Sequence, residues 1–216
     1  MNDQISKTQP ERFPPGAAMT LRFDRDDLEQ RLLQATTNDT CKGMFFNGLF
    51  LAVNHTAGEP GLERLKAAAP ARKFVDFFNY PITEFLPIAW LAAEIVGGGA
   101  TPAHLERGIK SIGKQATNDF LATAVGKTLL LLSGNEPRRL MNSLASGYKT
   151  AVSYGLRVAT WHEPSRCTFT MRRDFMPHAY HEGVMEQVLT VVGGKDVQVT
   201  GARVGLLDAD YEISWR

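Results

Sequence analysis

Two segments of this chain are apolar on nearly every side of a helix, and this feature limits the possible folds more than any other. The first is a predicted helix that begins at Asp39 or Thr40 and ends near Asn54, and the second runs from Ile82 to Val96. A helix that is apolar all round has to be covered on most of its sides. We therefore expect each of these helices to be buried either by its own domain or by a second copy of the chain.

The second segment is too short and too interrupted to cross a membrane. It contains Glu84, Pro87 and Glu94, and it falls short of the roughly 20 apolar residues that a spanning helix needs. Residues 1–19 are polar and rich in proline, without the apolar core of a signal peptide. The sequence therefore predicts a cytoplasmic protein with no membrane span, organised as a flexible leader over residues 1–19 and a single domain over residues 20–216.

Charge and cysteine content exclude further classes of protein. The 216 residues include 24 Lys and Arg against 23 Asp and Glu, so that the formal net charge is +1. This balance gives no overall field that would attract nucleic acid, and we expect no nucleic-acid partner. Cys41 and Cys167 are too few for a disulfide framework or a zinc cage, which fits a reducing compartment.

The pattern of apolar residues changes at Gly155 from helical to β-type. Before this point five or six helices are predicted, one of them interrupted near Gly113. After it, alternating strands surround one helix that opens at Pro177, in the order β–β–α–β–β. The predicted fold class is α+β, in which the helical N-terminal two-thirds of the chain packs on a small antiparallel sheet.

Short motifs give no phosphate-binding or metal signature. Residues 126–128, Gly-Lys-Thr, resemble the end of a phosphate-binding loop, but Leu121 stands where that loop needs a glycine. A small residue at a crossing of two helices is therefore the favoured interpretation of Gly126. His178 and His181 share one face of a helix, whereas Glu182 lies about 100° further round, so that no metal site is expected.

The two cysteines leave more than one interpretation open. Cys41 lies in the first apolar segment, where it is either a small buried hydrophobe or a thiol that lines an apolar cavity and is open to acylation. Cys167 could join His178 and His181 in an enzyme, but these residues have no recognised catalytic spacing. A Gly-x-Ser-x-Gly elbow is also missing. We therefore rank an enzyme last and expect a non-enzymatic protein without a cofactor.

Five short segments resemble a myxobacterial-type family that is described only as a domain of unknown function. The resemblance extends over residues 20–216 and rests on spaced matches at Thr40–Phe46, Phe77–Pro81, Gly126–Leu130, Arg173–Pro177 and Tyr211–Trp215. Two segments are also similar to a wider superfamily, Gly183–Leu189 and Tyr211–Ile213. That superfamily includes the 4-vinyl reductase domain, the haem–nitric-oxide-binding domain and the Bet3-type subunits of vesicle-tethering complexes.

The wider resemblance implies a helical half on a small antiparallel sheet, dimerisation through helices and an enclosed apolar ligand. It does not imply haem in this chain, because Cys167–Arg173 lacks the Tyr-x-Ser-x-Arg motif of the haem-binding members and no histidine lies between Gly108 and Tyr154. The resemblance also implies no enzyme activity, since no catalytic residue of the 4-vinyl reductase domain can be matched.

The apolar helices and the superfamily layout together predict a non-enzymatic sensory or scaffold domain. We expect it to bind a small apolar, acyl-like ligand and to act in signalling as a homodimer or through partner contacts. The candidate lining residues are Cys41, Phe45, Phe46, Leu49, Trp90 and Tyr148, with Arg157 or Arg172 to pair with an acidic head group. The alternative is a ligand-free homodimeric interaction module, in which the first apolar helix is buried against its twin.

Overall fold

The computed structural model describes residues 23–134 and 136–216, so the leader expected over residues 1–19 lies outside the described residues. The helices of the described part are α1 Arg25–Gln34, α2 Gly43–Ala68, α3 Ile82–Gly97, α4 Pro102–Ala122, α5 Ala124–Ser133, α6 Pro137–Ala151 and α7 His178–Val191. Its strands are β1 Thr40–Lys42, β2 Asn79–Pro81, β3 Leu156–Glu163, β4 Arg166–Arg172, β5 Gln198–Arg203 and β6 Ala209–Ser214. This arrangement confirms the predicted α+β fold.

The main sheet is antiparallel throughout, with the strand order β3-β4-β6-β5. Alternation along β4 explains its two faces, because Cys167, Phe169 and Met171 are buried while Thr168 and Thr170 lie on the more open face. Helix α7 packs over the buried face, and Met185 and Leu189 of this helix belong to the same apolar cluster as the strand residues. The predicted β–β–α–β–β order is therefore confirmed.

The two apolar helices are covered within this single chain. Helix α3 is packed by α1, α2 and α4, and its Leu86, Ala89 and Ala93 have no exposed surface. In α2, Phe46 and Val53 are likewise fully buried. Neighbouring parts of the same domain therefore cover most of both segments, as the first of the two expectations requires, although Leu51 of α2 stays 55% exposed.

The first apolar helix does not begin where the sequence predicts. Residues 40–42 form β1 and pair with β2, so that Thr40 lies opposite Pro81 and α2 starts only at Gly43. Asp39 does not cap this helix; its carboxylate accepts hydrogen bonds from Thr36 and Arg173. Helix α2 also continues beyond Asn54 to Ala68, with a kink at Gly58, where φ is 64°.

Helix α4 runs through Gly113 without the predicted interruption, and the break falls at Thr123 instead. The reason is close packing, because α4 and α7 approach each other at two glycines. A Cβ atom added to Gly113 would lie 2.2 Å from the Tyr180 carbonyl oxygen, and one added to Gly183 would lie 2.1 Å from the Lys110 carbonyl oxygen. The missing side chains therefore allow backbone-to-backbone contact between the two helices.

Gly126 has the packing role that the sequence favours for it. A Cβ atom at this position would lie 2.1 Å from the carbonyl oxygen of Phe120, at the point where α4 passes into α5. Within the described residues, no individual helix has both the length and the apolar character needed to cross a bilayer. Helices α3 and α4 meet such criteria only as a pair, and they are bent by 102° with respect to each other.

The α4–α7 contact leads to a prediction about stability. Gly183→Ala should lower the free energy of unfolding by about 1 to 3 kcal/mol, because its methyl group has to displace backbone. Gly147→Ala is the matched control, since it also lies in a helix but has no other atom within 4 Å of the added Cβ. This control should be neutral or stabilising by up to about 1 kcal/mol. Urea unfolding measures both, and equal effects would contradict the packing role of Gly183.

Candidate functional site

A buried carboxylate, Asp174, lies where the sheet and the helices meet. It follows β4 and precedes α7, in a turn where Arg173 has a φ of 53°. Its Oδ1 atom accepts hydrogen bonds from the Met176 N–H at 2.9 Å and from His181 Nε2 at 3.0 Å, and its Oδ2 atom accepts one from Arg157 Nη2. Burial by itself would raise the pKa of Asp174, but His181, Arg157 and the Met176 N–H together hold this pKa well below its usual range.

His181 connects this carboxylate to a phenol on α6. An ionised Asp174 can only accept, so His181 Nε2 donates to it. The other ring nitrogen, Nδ1, lies 2.8 Å from the hydroxyl oxygen of Tyr148. Burial raises the pKa of Tyr148 well above its usual value, so that the phenol keeps its proton. A protonated phenol and a ring nitrogen at this distance form a hydrogen bond, and the tautomer of the ring sets which of the two donates.

Arg157 of β3 also contacts Asp174, and one of its N–H donors has no acceptor among the described residues. Its side chain is 3% exposed, its Nη2 donates to Asp174, and its Nη1 donates to the Tyr154 carbonyl oxygen at 2.7 Å. The guanidinium carbon also lies 4.7 Å from the centre of the Tyr148 ring, a cation–π distance. Among the described residues, nothing accepts the hydrogen of the buried Arg157 Nε atom. A buried donor of this kind is costly unless it is satisfied.

A small cavity lies beside these groups, at the junction of the helical part and the sheet. Its volume is about 10 Å³, which is room for about one water molecule. Phe45, Tyr148 and Val152 are only partly buried, and they form the part of its wall closest to solvent. The complete lining consists of Cys41, Phe45, Phe85, Tyr148, Val152, Tyr154, Arg157, Asp174, Met176, Tyr180 and His181. The lining therefore includes polar side chains, such as Arg157 and Tyr148, as well as apolar ones, such as Phe45 and Phe85.

The structure brings four of the eight sequence-predicted site residues together at this cavity. These four are Cys41, Phe45, Tyr148 and Arg157. Their side chains come from four different elements, β1, α2, α6 and β3, which only the folded chain places side by side. The cavity is therefore a product of tertiary packing between the helical part and the sheet.

The other four predicted residues lie elsewhere. Phe46 stacks on Phe74 with ring centres 4.0 Å apart, and Leu49 is buried in the same cluster. Trp90 donates its indole N–H to the Asp24 carbonyl oxygen at 3.0 Å. The fourth, Arg172, pairs with Asp210 at 2.8 Å on the open side of the sheet.

Neither arginine is available for an acidic head group in the way that the sequence suggests. Arg157 already has the carboxylate of Asp174, and Arg172 already has that of Asp210. A charge paired in this way attracts a further anion less strongly, because the field of its partner cancels much of its own. The sequence does not reveal these pairs, since each joins residues on different strands or turns.

The structure separates the two interpretations of Cys41. Its side chain lines the cavity, yet the residue is only 1% exposed. Burial, with a smaller contribution from Glu84, raises the pKa of the Cys41 thiol well above its usual value. The reactive form of cysteine is the thiolate. Cys41 therefore remains a protonated, apolar lining group, and the structure disfavours its acylation.

The residues proposed for an enzyme do not form one constellation. Cys167 belongs to the apolar cluster under the sheet, and burial raises the pKa of its thiol to about 11. His181 lines the cavity, whereas His178 lines a second small cavity with Arg31 and Arg203. Among the residues that the structure describes, no three His, Cys, Asp or Glu side chains are grouped so as to hold a metal ion.

Asp174 and His181 are the site residues that sequence reasoning missed. The sequence indicated His181 only as a possible metal ligand or as part of an enzyme site with Cys167 and His178, and Asp174 only as part of the segment Arg173–Pro177. The sequence carries only a modest signal for Asp174. The charged pair Arg173 and Asp174 stands shortly before Pro177, which opens a predicted helix. The partners of Asp174 are 17 residues away at Arg157 and 7 residues away at His181, which no local pattern connects.

Solved structures with this architecture are H-NOX proteins. The unliganded Fe(II) H-NOX A71G mutant from K. algicida has a TM-score of 0.63 and 12% identity, covering 81% of this chain and 96% of that one. The Fe(II)NO form of the S. oneidensis H-NOX protein has a TM-score of 0.61 and 15% identity, covering 81% and 99%. At these identities the likenesses show an H-NOX-like fold, and the 4-vinyl reductase and Bet3-type likenesses expected from the sequence are not supported.

The family itself is identified by sequence. Residues 34–216 match the model of a protein family described as "Protein of unknown function (DUF2378)", and the chain belongs to this family. The resemblance to a domain of unknown function is thereby confirmed. A comparison with the curated proteins gave no match.

The haem that the fold family implies does not fit the residues of this chain. The cavity at the helix–sheet junction measures about 10 Å³, whereas ligand pockets usually measure roughly 300 to 1,000 Å³. His181, the histidine in its lining, uses one ring nitrogen for Asp174 and the other for Tyr148. The strand β4 also lacks the Tyr-x-Ser-x-Arg motif. The small volume of the cavity, the occupied ring nitrogens of His181 and the missing motif in β4 are thus all inconsistent with a bound porphyrin.

The buried contacts of Asp174 with Arg157 and His181 lead to a second prediction. Asp174→Asn should lower the free energy of unfolding by about 3 to 5 kcal/mol, because it leaves the buried Arg157 charge without its counter-ion. The matched control is Asp210→Asn, which removes an Asp–Arg pair whose side chains are 33% and 38% exposed. That variant should lose less than about 1 kcal/mol. Urea unfolding at neutral pH compares the two, and similar losses would show that Asp174 does not hold the cluster.

The stability that Asp174 contributes changes with pH in a definite direction. A carboxyl whose pKa is lowered by folding contributes stability above its unfolded-state pKa, and this contribution is lost as the pH falls towards the folded-state value. The lowered pKa of Asp174 therefore makes the wild-type protein lose stability on acidification. Asp174→Asn should show a flatter acid branch in the same unfolding measurement.

Proposed function

We propose that this chain is a non-enzymatic sensory domain that binds a small apolar, acyl-like ligand at the junction of its helices and its sheet. The single observation that carries the proposal is a small cavity at this junction that is lined by Arg157, whose buried Nε–H has no acceptor among the described residues. Apolar side chains, among them Phe45, Phe85 and Val152, also line this cavity. The H-NOX-like fold supports a sensory role as an analogy of fold, since the similar H-NOX structures are of an unliganded Fe(II) form and an Fe(II)NO form.

The size of the cavity determines how such a ligand binds. A volume of about 10 Å³ holds a single polar atom of the ligand and not a chain. The apolar part therefore has to pass through the partly buried wall formed by Phe45, Tyr148 and Val152. Each methylene that leaves water contributes about 0.8 kcal/mol, so that a short chain along this wall can offset the cost of moving these side chains.

The ligand can be sought directly in protein purified from its native host. Denaturing this protein and analysing the organic extract by mass spectrometry should give one small molecule in near-stoichiometric amount. Cys41→Met should lose the molecule, because the longer side chain fills the cavity that Cys41 lines. Cys167→Ala is the control, since this thiol is also buried but belongs to another cluster. An extract of the wild-type protein without such a molecule would contradict the proposal.

A second candidate function, a homodimeric interaction module, is favoured by the surface of α5. Val125, Leu131 and Leu132 on this helix are 54%, 78% and 77% exposed. Apolar side chains grouped in this way commonly mark a contact surface. The helix that the sequence suggested for dimerisation is a poorer candidate, because Phe46 of α2 is fully buried in its own domain.

Static light scattering tests this dimer. The wild-type protein should have the mass of two chains, and the double variant Leu131→Glu/Leu132→Glu should have the mass of one, because two charges would have to be buried in the interface. Leu33→Glu is the control, since Leu33 is 76% exposed but lies on α1. A wild-type protein with the mass of one chain at micromolar concentration would rule the dimer out.

A further inference from the structure

We propose that an exposed aromatic turn of this chain docks on the surface of a lipid bilayer that contains anionic lipid. Residues 75–78 form this aromatic turn, which lies between α2 and β2. The turn lines neither of the two cavities described above, so the inference does not rest on ligand binding. It depends on three observations: the exposure of the apolar side chains, the hydrogen bonds that hold the backbone, and the charged side chains beside the turn.

The apolar side chains of the aromatic turn face solvent. Phe77 is 68% exposed, Phe78 is 64% exposed and Val75 is 47% exposed. The Phe78 N–H donates to the Val75 carbonyl oxygen at 3.0 Å, which closes the turn and leaves the two adjacent rings at its tip. Leu51 of α2, 55% exposed, lies one helical turn beyond Asn47, whose amide contacts residues 74 and 76. Exposed apolar side chains grouped in this way commonly mark a contact surface.

The backbone of the aromatic turn is held firmly although its rings are not covered. Its carbonyl oxygens at positions 78 and 76 accept the N–H groups of Gly43 and Met44, at 2.9 and 3.1 Å. These are the first N–H groups of α2, which have no acceptor within the helix. The Val75 N–H donates to the hydroxyl oxygen of Tyr80 at 2.9 Å. The turn is therefore ordered before any contact is made, so that docking loses little backbone entropy.

The charged side chains beside the aromatic turn leave a local positive surplus. The Lys42 ammonium donates to a carbonyl oxygen of the turn at 2.8 Å, and Lys73 is exposed just before the turn. Neither lysine pairs with a carboxylate among the described residues. Arg72 pairs with Glu84, and the Asp76 carboxylate accepts an amide hydrogen from α2 at 2.7 Å. Three basic side chains thus stand against two acidic ones.

Shape and charge together favour a bilayer over a protein as the partner of this turn. Two rings that project from a tight turn need a matching hollow on a protein surface, whereas lipid closes round any projecting apolar group. Aromatic rings are accommodated at the level of the lipid head groups. Anionic lipids attract lysine and arginine side chains that lie close to the membrane surface. The aromatic turn and its flanking lysines combine both features.

Sedimentation with lipid vesicles tests the proposal on the full chain. The wild-type protein should bind vesicles of phosphatidylcholine with phosphatidylserine about fivefold more tightly than vesicles of phosphatidylcholine alone. Phe77→Thr/Phe78→Thr should weaken binding to the anionic vesicles at least about hundredfold, because two rings no longer leave water. Lys73→Gln should weaken binding to the anionic vesicles about fivefold and leave binding to the neutral ones unchanged.

A matched control separates the aromatic turn from exposed apolar surface in general. Leu156→Thr/Val158→Thr also removes two apolar side chains, 56% and 42% exposed, but on β3. This control should bind both kinds of vesicle as the wild-type protein does. Since Lys73 makes none of the hydrogen bonds of the turn, Lys73→Gln tests the proposal even if the double variant of the turn does not fold.

The outcomes distinguish the bilayer from other partners. A wild-type protein that binds neither kind of vesicle would overturn the proposal. Equal losses in the turn variant and the β3 control would overturn it too, because binding would then reflect apolar surface in general. If vesicles are not bound and Phe77→Thr/Phe78→Thr halves the mass of the protein in light scattering, a second copy of the chain covers the turn instead. None of these results bears on the ligand sought by mass spectrometry.

Discussion

The ionised carboxylate of Asp174 is the interaction on which the rest of this structure depends. It receives Arg157 from β3, His181 from α7 and the Met176 N–H from its own turn. Arg31 of α1 holds the backbone carbonyl of the same residue. Because a charge in the interior is tolerated only when its hydrogen bonds are complete, these groups must all be in place together. One turn thereby connects the helical part of the molecule to the sheet, and its Asp174 lines the cavity.

The sheet and most helices could be predicted because their signals are local. Alternation fixes β4, where Cys167, Phe169 and Met171 point to the core, and proline marks the start of α7. The errors have a long-range cause. The start of α2 was misplaced because Thr40–Lys42 pairs with residues almost 40 positions away, and the break expected at Gly113 is absent because α7 uses the small residue for contact. Neither partner is visible in a local window of sequence.

The candidate site was predicted only in part, and the limit is physical. Phe45 and Phe46 are adjacent and chemically identical, yet Phe45 lines the cavity while Phe46 stacks on Phe74 in the core. Composition cannot distinguish a cavity wall from a packed core, since both use the same residue types. Arg157 was singled out as a basic side chain, but its partner Asp174 depends on a turn in which Arg173 adopts a positive φ. Such a conformation is uncommon outside glycine and has no sequence signature here.

The position of Cys41 has a consequence for how motion in this molecule can be followed. Cys41 lines the cavity whose partly buried wall is formed by Phe45, Tyr148 and Val152, and its thiol is both buried and protonated. An alkylating reagent in solution can attack it only during the intervals when that wall is displaced. The rate at which Cys41 is alkylated would therefore report how often the wall opens, a brief movement that a static structure does not record.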